Sequence, residues 1–154
     1  MQPQSNQKDP NTSPRRLNRI AAVQAIYMAE ANTQEAIQDT LDLFFMNQDE
    51  PRSFYKFAET LIRGTLVHLQ EIDKTIKKYA QNWALDRIAK TDLAILRLAI
   101  YELFFRNDIP PIVSINEAIE LTKILSNDES KRFVNGILDK VKSDLKRPLR
   151  EASK

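Results

Sequence analysis

The sequence predicts an all-α fold, and three observations carry that prediction. Apolar residues recur at three- and four-residue spacing along most of the 154 residues, which is the period of an amphipathic helix. No segment shows the alternation of apolar and polar residues that marks a half-buried strand. Capping-box spacings and helix-starting prolines divide the chain into about seven helices. We expect a single domain over residues 14–142, in which a three-helix subdomain, about 14–80, packs on a four-helix subdomain, about 81–142.

The first two helices follow an N-terminal tail. Residues 1–13 are rich in Gln, Asn, Pro and Ser, so we expect them to be disordered. From Leu17 to Met28 the apolar residues cover nearly every face, as in a buried helix, and only its first turns look solvent-facing. Asn32 and Glu35 have capping-box spacing and open a second helix, roughly 33–47.

A long third helix completes the first half. Asp49 and Pro51 start it, and an apolar-biased repeat of three or four residues continues to about position 80. Gly64 lies inside this helix, where we expect it to allow the close approach of another helix. His68, the only histidine of the chain, lies on the apolar stripe, so we expect a core or interface imidazole.

The second half is organised around one apolar helix. Residues 83–89 are expected to form a short helical link. From Asp92 to Phe105 the chain is almost entirely apolar apart from Arg97 and Glu102. Charges embedded in such a run are usually paired, and we expect these two to hold the packing register.

Two further helices end the domain. Ser114 with Glu117 makes a capping box that starts a helix through Leu125. Ser126 with Glu129 repeats that spacing. It is therefore predicted to start the last helix.

The last helix contains a pair of residues that breaks a local rule. Asn135-Gly136 is normally a turn signal, yet apolar positions from Phe133 to Leu145 continue at helical spacing through it. A glycine inside a helix costs about 1 kcal/mol relative to alanine, so something must come close to the backbone there. Gly136 and Arg132 fall on the face opposite the core stripe, with Phe133 at its boundary. Two explanations of this glycine remain: a close helix crossing over Gly136, or a binding surface there.

Charge is segregated along the chain, whose net charge is +2. Residues 1–19 carry +3, residues 140–154 carry +4, and the body, 20–139, carries −5. Residues 143–154 are predicted to form a basic C-terminal tail. Basic ends suit contact with a polyanion, and an acidic body suits a basic protein partner. Solvated tails that only aid solubility are the alternative.

Composition excludes several classes of protein. Cysteine is absent, so disulfides and thiolate metal sites are excluded. No apolar segment is long enough to span a membrane and no N-terminal run resembles a signal peptide, so we expect a cytoplasmic protein without membrane contact. The chain has one histidine and two glycines, and neither a Walker nor a dinucleotide motif is present. We therefore expect a protein that is not an enzyme, with no catalytic residue, no metal and no cofactor.

Single-stranded RNA is the ligand that the remaining features suit. Arg15, Arg16 and Arg19 lie three and four residues apart at a helix start, so all three guanidinium groups are expected to project from one side. Arginines on such a helix suit phosphate contact. Phe133, next to Lys131 and Arg132 in the sequence, is positioned to stack on an unpaired base.

Three blocks of sequence, taken together, resemble one family. The first is RRLNRIAAVQAIY (15–27), the second is WALDRIAKTDLAILRLAIYELFF (83–105), and the third and most specific is VSINEAIELTKILSNDESKRFVNGILDKV (113–141). In this order, and in a chain of this length, they resemble the bacterial transcription antitermination factor NusB family. The resemblance covers about residues 15–141.

The resemblance implies partners and a set of contact residues. It implies pairing with the small-subunit ribosomal protein also called NusE, binding of boxA-type single-stranded RNA, and a role in the complex that makes RNA polymerase resist termination during ribosomal RNA synthesis. The RNA-contacting residues expected on this basis are Arg15, Arg16, Arg19, Asp128, Glu129, Ser130, Lys131, Arg132 and Phe133. Tyr27 is expected near the NusE-facing surface. Gly136 is then expected to serve helix packing beside Phe133.

One departure from the family and two other interpretations remain. Leu17 and Asn18 stand where many members carry further basic residues, so RNA affinity without the partner is expected to be modest. The NusB-like domain of ribosomal RNA methyltransferases resembles this chain, but that family appends a large catalytic domain for which this chain is too short. A purely protein-binding helical module is the other interpretation. The sequence leaves open whether the free protein is a monomer or a homodimer.

Overall fold

The fold is entirely helical over the residues that the structure describes, 11–29, 33–81 and 83–153. This computed structural model has seven α-helices in those ranges, and two short 3-10 helices, Arg52–Tyr55 and Leu85–Arg87, precede the third and fifth. The α-helices are α1 (Pro14–Met28), α2 (Gln34–Met46), α3 (Lys56–Val67), α4 (Leu69–Ala80), α5 (Lys90–Phe105), α6 (Pro111–Leu125) and α7 (Asp128–Asp144). The predicted all-α fold with about seven helices is confirmed.

One core joins the two halves of the chain. Helix α1 packs against α3 and α5, and its residues Ala22, Val23, Ala25 and Ile26 are buried. Helix α5 in turn packs on α4 and α6, and α7 lies against α6 and α4. The apolar coverage of α1 therefore reflects its central place between the halves. No helix in the described ranges has both the length and the apolar character needed to cross a membrane.

The predicted long third helix is two helices. Helix α3 ends at Val67 and α4 begins at Leu69, with His68 between them at φ −99° and ψ 18°. The His68 ring stacks on Phe105, with 4.0 Å between ring centroids, and Tyr101 lies nearly parallel to both rings. The apolar repeat continues through this break, since Leu61 and Thr65 are buried before it and Ile72 and Ile76 after it. The repeat alone therefore did not reveal the break.

Two helix starts differ from the predicted capping boxes. The Thr33 hydroxyl caps α2 by accepting the Ala36 N–H at 3.1 Å. Asn32, the predicted cap, lies outside the described residues. Helix α6 begins at Pro111 rather than at Ser114, because a proline in the first turn has its φ already set for a helix and has no N–H to satisfy.

Helix α1 is capped by Ser13, the residue just before it. Of the predicted disordered tail, 1–13, residues 1–10 lie outside the described residues. The Ser13 side chain accepts the Arg16 N–H at 3.2 Å and so caps α1.

The basic segment after α7 lies against the connection between α5 and α6. The Arg147 guanidinium donates to the backbone carbonyls of Leu103 and Ile109, at 3.1 and 3.0 Å. The Ile112 N–H donates to the Leu149 carbonyl at 2.8 Å. Burial lowers the pKa of Arg147. These contacts attach the segment to the folded domain through its backbone and the Arg147 side chain.

Helix α3 and helix α5 approach closely at Gly64, as the sequence predicted. A β-carbon at Gly64 would collide with the hydroxyl group and ring of Tyr101. Glycine is therefore required here, because it lets the tyrosine lie directly on the α3 backbone.

Candidate nucleic-acid interface

The start of α7 is built around Asn127 and two serines. The Asn127 side chain accepts the Ser130 N–H at 2.9 Å, so Asn127 caps the helix in place of the predicted Ser126. The Ser126 hydroxyl donates to the Ser130 hydroxyl at 2.7 Å, and Ser130 is buried. Asp128 and Glu129 are exposed in the first turn, where the helix dipole favours carboxylates. Ser130 therefore orders the turn, while the two acidic side chains face solvent.

Phe133 lies one turn later, beside the only tryptophan of the chain. The rings of Phe133 and Trp83 meet edge to face, with 6.2 Å between centroids and 70° between planes. Phe133 is half-buried against the core, whereas Trp83, in the connection between α4 and α5, is 51% exposed. We call these two side chains the aromatic pair. Burial in the core does not account for so exposed a tryptophan.

The aromatic pair borders two grooves. The first groove has a volume of about 290 Å³ and lies toward the starts of α5 and α7. The second groove, about 270 Å³, lies toward the end of α4. The first is lined by Trp83, Arg87, Ile88, Ala89, Asp92, Asn127, Glu129, Ser130 and Phe133. The second is lined by Tyr79, Ala80, Gln81, Trp83, Phe133, Gly136, Ile137 and Lys140.

The wall of the first groove contains a buried carboxylate, Asp92, in the first turn of α5. Asp92 is 5% exposed. Among the described residues, no group donates a hydrogen bond to its Oδ1 atom. A buried acceptor without a donor costs about 1–3 kcal/mol. The Oδ1 atom itself is covered by the protein, so a ligand in the groove reaches it only after a local rearrangement.

The close helix crossing expected over Gly136 is wrong. A β-carbon at Gly136 would have no neighbour within 4 Å, and the residue is exposed at the second groove. Helix α7 nevertheless continues through Asn135-Gly136 without a break, as the sequence predicted. Packing within the fold therefore does not explain this glycine.

The three arginines at the start of α1 do not share one exposed side. Arg19 is 4% exposed, and its guanidinium donates to both carboxylate oxygens of Glu102, the shortest distance being 2.7 Å. Glu102 also accepts a hydrogen bond from the Ser114 hydroxyl at 2.9 Å. The expectation that Arg19 projects into solvent is wrong, because α5 covers this turn of α1 and supplies the carboxylate.

The expectation that the two charges inside α5 are paired is confirmed. Glu102 pairs with Arg19. Arg97 donates two hydrogen bonds to Asp73 of α4, at 2.8 and 2.9 Å. Each ion pair thus connects α5 to a different helix.

Arg15 and Arg16 reach the surface in two different ways. Arg16 donates to both carboxylate oxygens of Glu117, at 3.0 and 3.1 Å, in a half-buried pair. The Arg15 guanidinium lies over the Phe57 ring, 3.8 Å from its centroid, and its side chain is exposed. A guanidinium stacked on a ring keeps its N–H donors in its own plane, where a phosphate can reach them.

Helix α6 links the start of α1 to α7, because Arg16 pairs with Glu117 of α6 and α7 packs along α6. A hydrogen bond from Lys123 holds the pKa of Glu120 below its ordinary value, and the charges of Arg16 and Lys131 act in the same direction. Glu120 on α6 is therefore within electrostatic reach of both regions. The two predicted RNA-contacting regions, more than a hundred residues apart in sequence, both contact α6.

Lys131 and Arg132 supply further positive charge on α7. Arg132 is exposed and Lys131 half-buried. In the part of the chain that the structure describes, neither side chain takes part in an ion pair.

Tyr27, expected near a protein partner, is half-buried near the end of α1 and packs against the core.

Metal binding finds no support in the described ranges, since they contain no group of three or more acidic or histidine side chains able to hold an ion.

Sequence reasoning assigned no binding role to Trp83, Asp92 or Lys140. For Trp83 a signal was available, since the only tryptophan of the chain lies in a connection outside the apolar repeat. Asp92 has no such signal, because its burial depends on distant residues.

Comparisons with known proteins agree on one family. A model of the NusB family matches residues 16–143. A transcription antitermination protein NusB from Myxococcus xanthus is 44% identical over 137 residues, which make up 87% of this chain and 98% of that protein. A structure of T. maritima NusB matches with a TM-score of 0.71 at 35% identity, over 86% of this chain and 93% of that one. A crystal structure of the antitermination factors NusB and NusE in complex with dsRNA matches with a TM-score of 0.67 at 24% identity, over 84% and 96% of the two chains, and shares the fold.

Proposed function

The chain belongs to the NusB family, whose curated relatives are named transcription antitermination proteins, and we propose that it acts in antitermination by binding boxA-type single-stranded RNA. In this proposal it pairs with the ribosomal protein also called NusE during ribosomal RNA transcription. The observation that carries the proposal is the aromatic pair, Trp83 and Phe133, which reaches solvent beside Lys131 and Arg132 and beside a groove lined by two carboxylates.

The first groove supplies the base-binding part of this site. An unpaired base that enters it lies against Phe133 and Trp83, and stacking of a base on an aromatic side chain is worth about 1–3 kcal/mol. The Asp92 carboxylate, which lines the same groove, then accepts an N–H group from the edge of the base. Glu129 at the same groove is a second acceptor. Acceptors of this kind favour bases that present amino or imino donors.

The cations around the groove supply phosphate contacts. Lys131 and Arg132 directly precede Phe133 on α7, and Arg15 and Arg16 lie at the start of α1, which Arg16 joins to α6 through its pair with Glu117. Three or four such contacts to a single strand release enough counterions to give a slope of roughly −2 to −3 in a log–log plot of affinity against salt. Arg19 contributes indirectly, since its ion pair with Glu102 fixes the turn that carries the other two arginines.

The protein partner is proposed to contact Tyr27, near the end of α1. The exposed Met28 follows it, and the body of the chain, 20–139, is acidic. An acidic surface suits a basic ribosomal protein. We propose that the pair joins the RNA polymerase antitermination complex in the cytoplasm, that the protein acts without catalysis or cofactor, and that any homodimer of the free chain is separate from this assembly.

Replacing Phe133 by alanine tests the RNA-binding proposal. We expect Phe133→Ala to weaken binding of a boxA-type single strand by roughly 5- to 150-fold, because one stacking surface is lost. Binding is measured by titration with RNA, with and without the ribosomal partner, at several salt concentrations. Trp83 is the only tryptophan, so quenching of its fluorescence reports directly on a base that arrives at the aromatic pair.

Phe104→Ala is the matched control, since Phe104 is also exposed, at 44%, and lines neither groove. It should leave RNA affinity unchanged. A wild-type protein that binds no RNA with the partner present, or whose affinity does not change with salt, would overturn the proposal and favour a purely protein-binding module. If Phe133→Ala and Phe104→Ala lose equal RNA affinity, the aromatic pair is not part of the RNA-binding site.

A further inference from the structure

Gly136 has no explanation within the fold. The chain contains two glycines. Gly64 is required by Tyr101, whereas the space over Gly136 is open. A glycine inside a helix destabilises it relative to almost any other residue. Positions of this kind are kept as glycine where a ligand or another backbone approaches closely, and among the described residues nothing approaches Gly136.

The second groove, which Gly136 lines, has the size and shape for one planar group. Its volume of about 270 Å³ is just below the usual range for sites that hold whole small molecules. The aromatic pair forms one wall, and the buried Ile137 contributes an apolar surface. Any side chain at position 136 would project toward this space, because Gly136 and Phe133 lie on the same face of α7.

Charges around the second groove favour a group that carries phosphate. Lys140 lines the groove one turn after Gly136. The Lys78 ammonium lies 5.1 Å from the centroid of the Tyr79 ring, another wall of the groove. The nearby Asp144 carboxylate accepts the Tyr79 hydroxyl at 2.7 Å and, among the described residues, forms an ion pair with neither lysine. An aromatic groove with cations at its edge fits a nucleotide better than it fits an apolar side chain of a protein partner.

We infer that the second groove holds an unpaired nucleotide of the bound RNA, the neighbour of the one in the first groove. Its base lies over Gly136 and against the aromatic pair, and Lys140 contacts its phosphate. The inference rests on the proposed function and extends the RNA path along α7, beyond the start of the helix. The aromatic pair is then shared, with one base on each side.

Filling the groove tests this inference. Gly136→Leu places a side chain over the open position and leaves the first groove unaltered. We expect RNA affinity to fall roughly 5- to 50-fold, because one stacked base is displaced. The melting temperature should rise by about 2–4 °C, because leucine is a better helix former than glycine. Opposite changes in affinity and stability exclude misfolding as the cause of weaker binding.

Asn135→Leu is the matched control. Asn135 is exposed on the same helix and lines neither groove, so the same leucine side chain there should leave RNA affinity unchanged. In a series of RNAs that each lack one base, we expect one position at which base removal weakens the wild type. The same removal should cause no further loss in Gly136→Leu.

Three results would overturn the inference in distinguishable ways. Wild-type protein that binds no RNA, even with the partner, ends both the proposed function and the inference. Wild-type binding that Phe133→Ala weakens and Gly136→Leu does not would end the inference alone. A Gly136→Leu variant that keeps its RNA affinity and loses the ribosomal partner would make the second groove a protein contact.

Discussion

The junction of α1, α3 and α5 and the exposed face of α7 contain the same kinds of residue in opposite circumstances. At the junction, Tyr101 covers Gly64 and Glu102 neutralises Arg19. On α7, the space over Gly136 is open, and Arg132 has no ion pair in the described ranges. A mid-helix glycine or an arginine therefore serves packing where another helix covers it. On an uncovered face, the same residue is available to a ligand.

The comparison predicts separate consequences for the two regions. Substitutions at the junction should lower the free energy of unfolding, and any effect on RNA should follow from the loss of folded protein. Substitutions on the α7 face should change RNA affinity with little or no loss of stability.

The largest effect is expected from Arg19→Ala. This change leaves the Glu102 carboxylate, whose side chain is 2% exposed, buried without its partner, and breaking a buried pair in this way costs about 3–5 kcal/mol. Urea unfolding followed by circular dichroism measures the loss. Arg15→Ala is the control, and it should cost at most about 1 kcal/mol, because its stacking on Phe57 is exposed.

A small cost for Arg19→Ala would contradict the separation. In particular, a variant as stable as Arg15→Ala but defective in RNA binding would return Arg19 to the set of direct RNA contacts. Glu102→Gln keeps the shape of the side chain and removes its charge. Its free energy of unfolding therefore shows how much of the contribution of the ion pair depends on that charge.

The second effect is a contrast in sign between the glycines. Gly64→Ala should lower the free energy of unfolding by about 1–3 kcal/mol, because the added carbon meets the Tyr101 ring. Gly136→Ala should raise it by up to about 1 kcal/mol, because alanine is the better helix former and nothing obstructs its methyl group. Thermal and chemical unfolding of the two variants, side by side with the wild type, provides the measurement.

A double-mutant cycle identifies the cause of the loss at Gly64. In a Tyr101→Ala background the cost of Gly64→Ala should shrink, because the colliding ring is absent. If both glycine variants lose stability equally, the two positions do not differ in whether another residue covers them, and the comparison fails.

The smallest effect is expected at alkaline pH and involves two tyrosines, Tyr101 at the junction and Tyr79 of α4, which lines the second groove. The hydrogen bond to Asp144, together with burial, raises the pKa of Tyr79, and burial raises the pKa of Tyr101. A raised folded-state pKa stabilises the fold fully below the unfolded value of about 10, and this stabilisation is lost as the pH rises through the folded-state pKa. Stability should therefore decline above about pH 10.

Phenylalanine variants separate the two contributions to that decline. Tyr79→Phe and Tyr101→Phe each remove one titrating group, so each should show a shallower loss of melting temperature between neutral and alkaline pH than the wild type. Three identical profiles would mean that neither phenol is linked to folding.

Sequence reasoning succeeded where local pattern decides the outcome. The buried character of α1, the helix through Asn135-Gly136 and the pairing of Glu102 all follow from apolar spacing or from a charge inside an apolar run. It failed at helix ends, where Asn127 rather than Ser126 caps α7, because several neighbouring residues have side chains able to cap.

The candidate site could be predicted only in part for a related reason. Phe133 lies at the edge of the apolar stripe, so its partial exposure follows from its position on the helix. The meeting of Phe133 with Trp83, fifty residues earlier in the chain, depends on how α4 and α5 are arranged against α7. Burial of Asp92 depends on the same arrangement.

The sequence by itself determined the helical class, the presence of most of the helices and the family, because helical periodicity and the three sequence blocks are properties of contiguous residues. The tertiary structure alone decided which of two glycines is covered, which of three arginines is buried, and which aromatic ring stands beside Phe133. These outcomes depend on contacts between residues far apart in the chain, and burial and ion pairing acquire their free energy only when such contacts form.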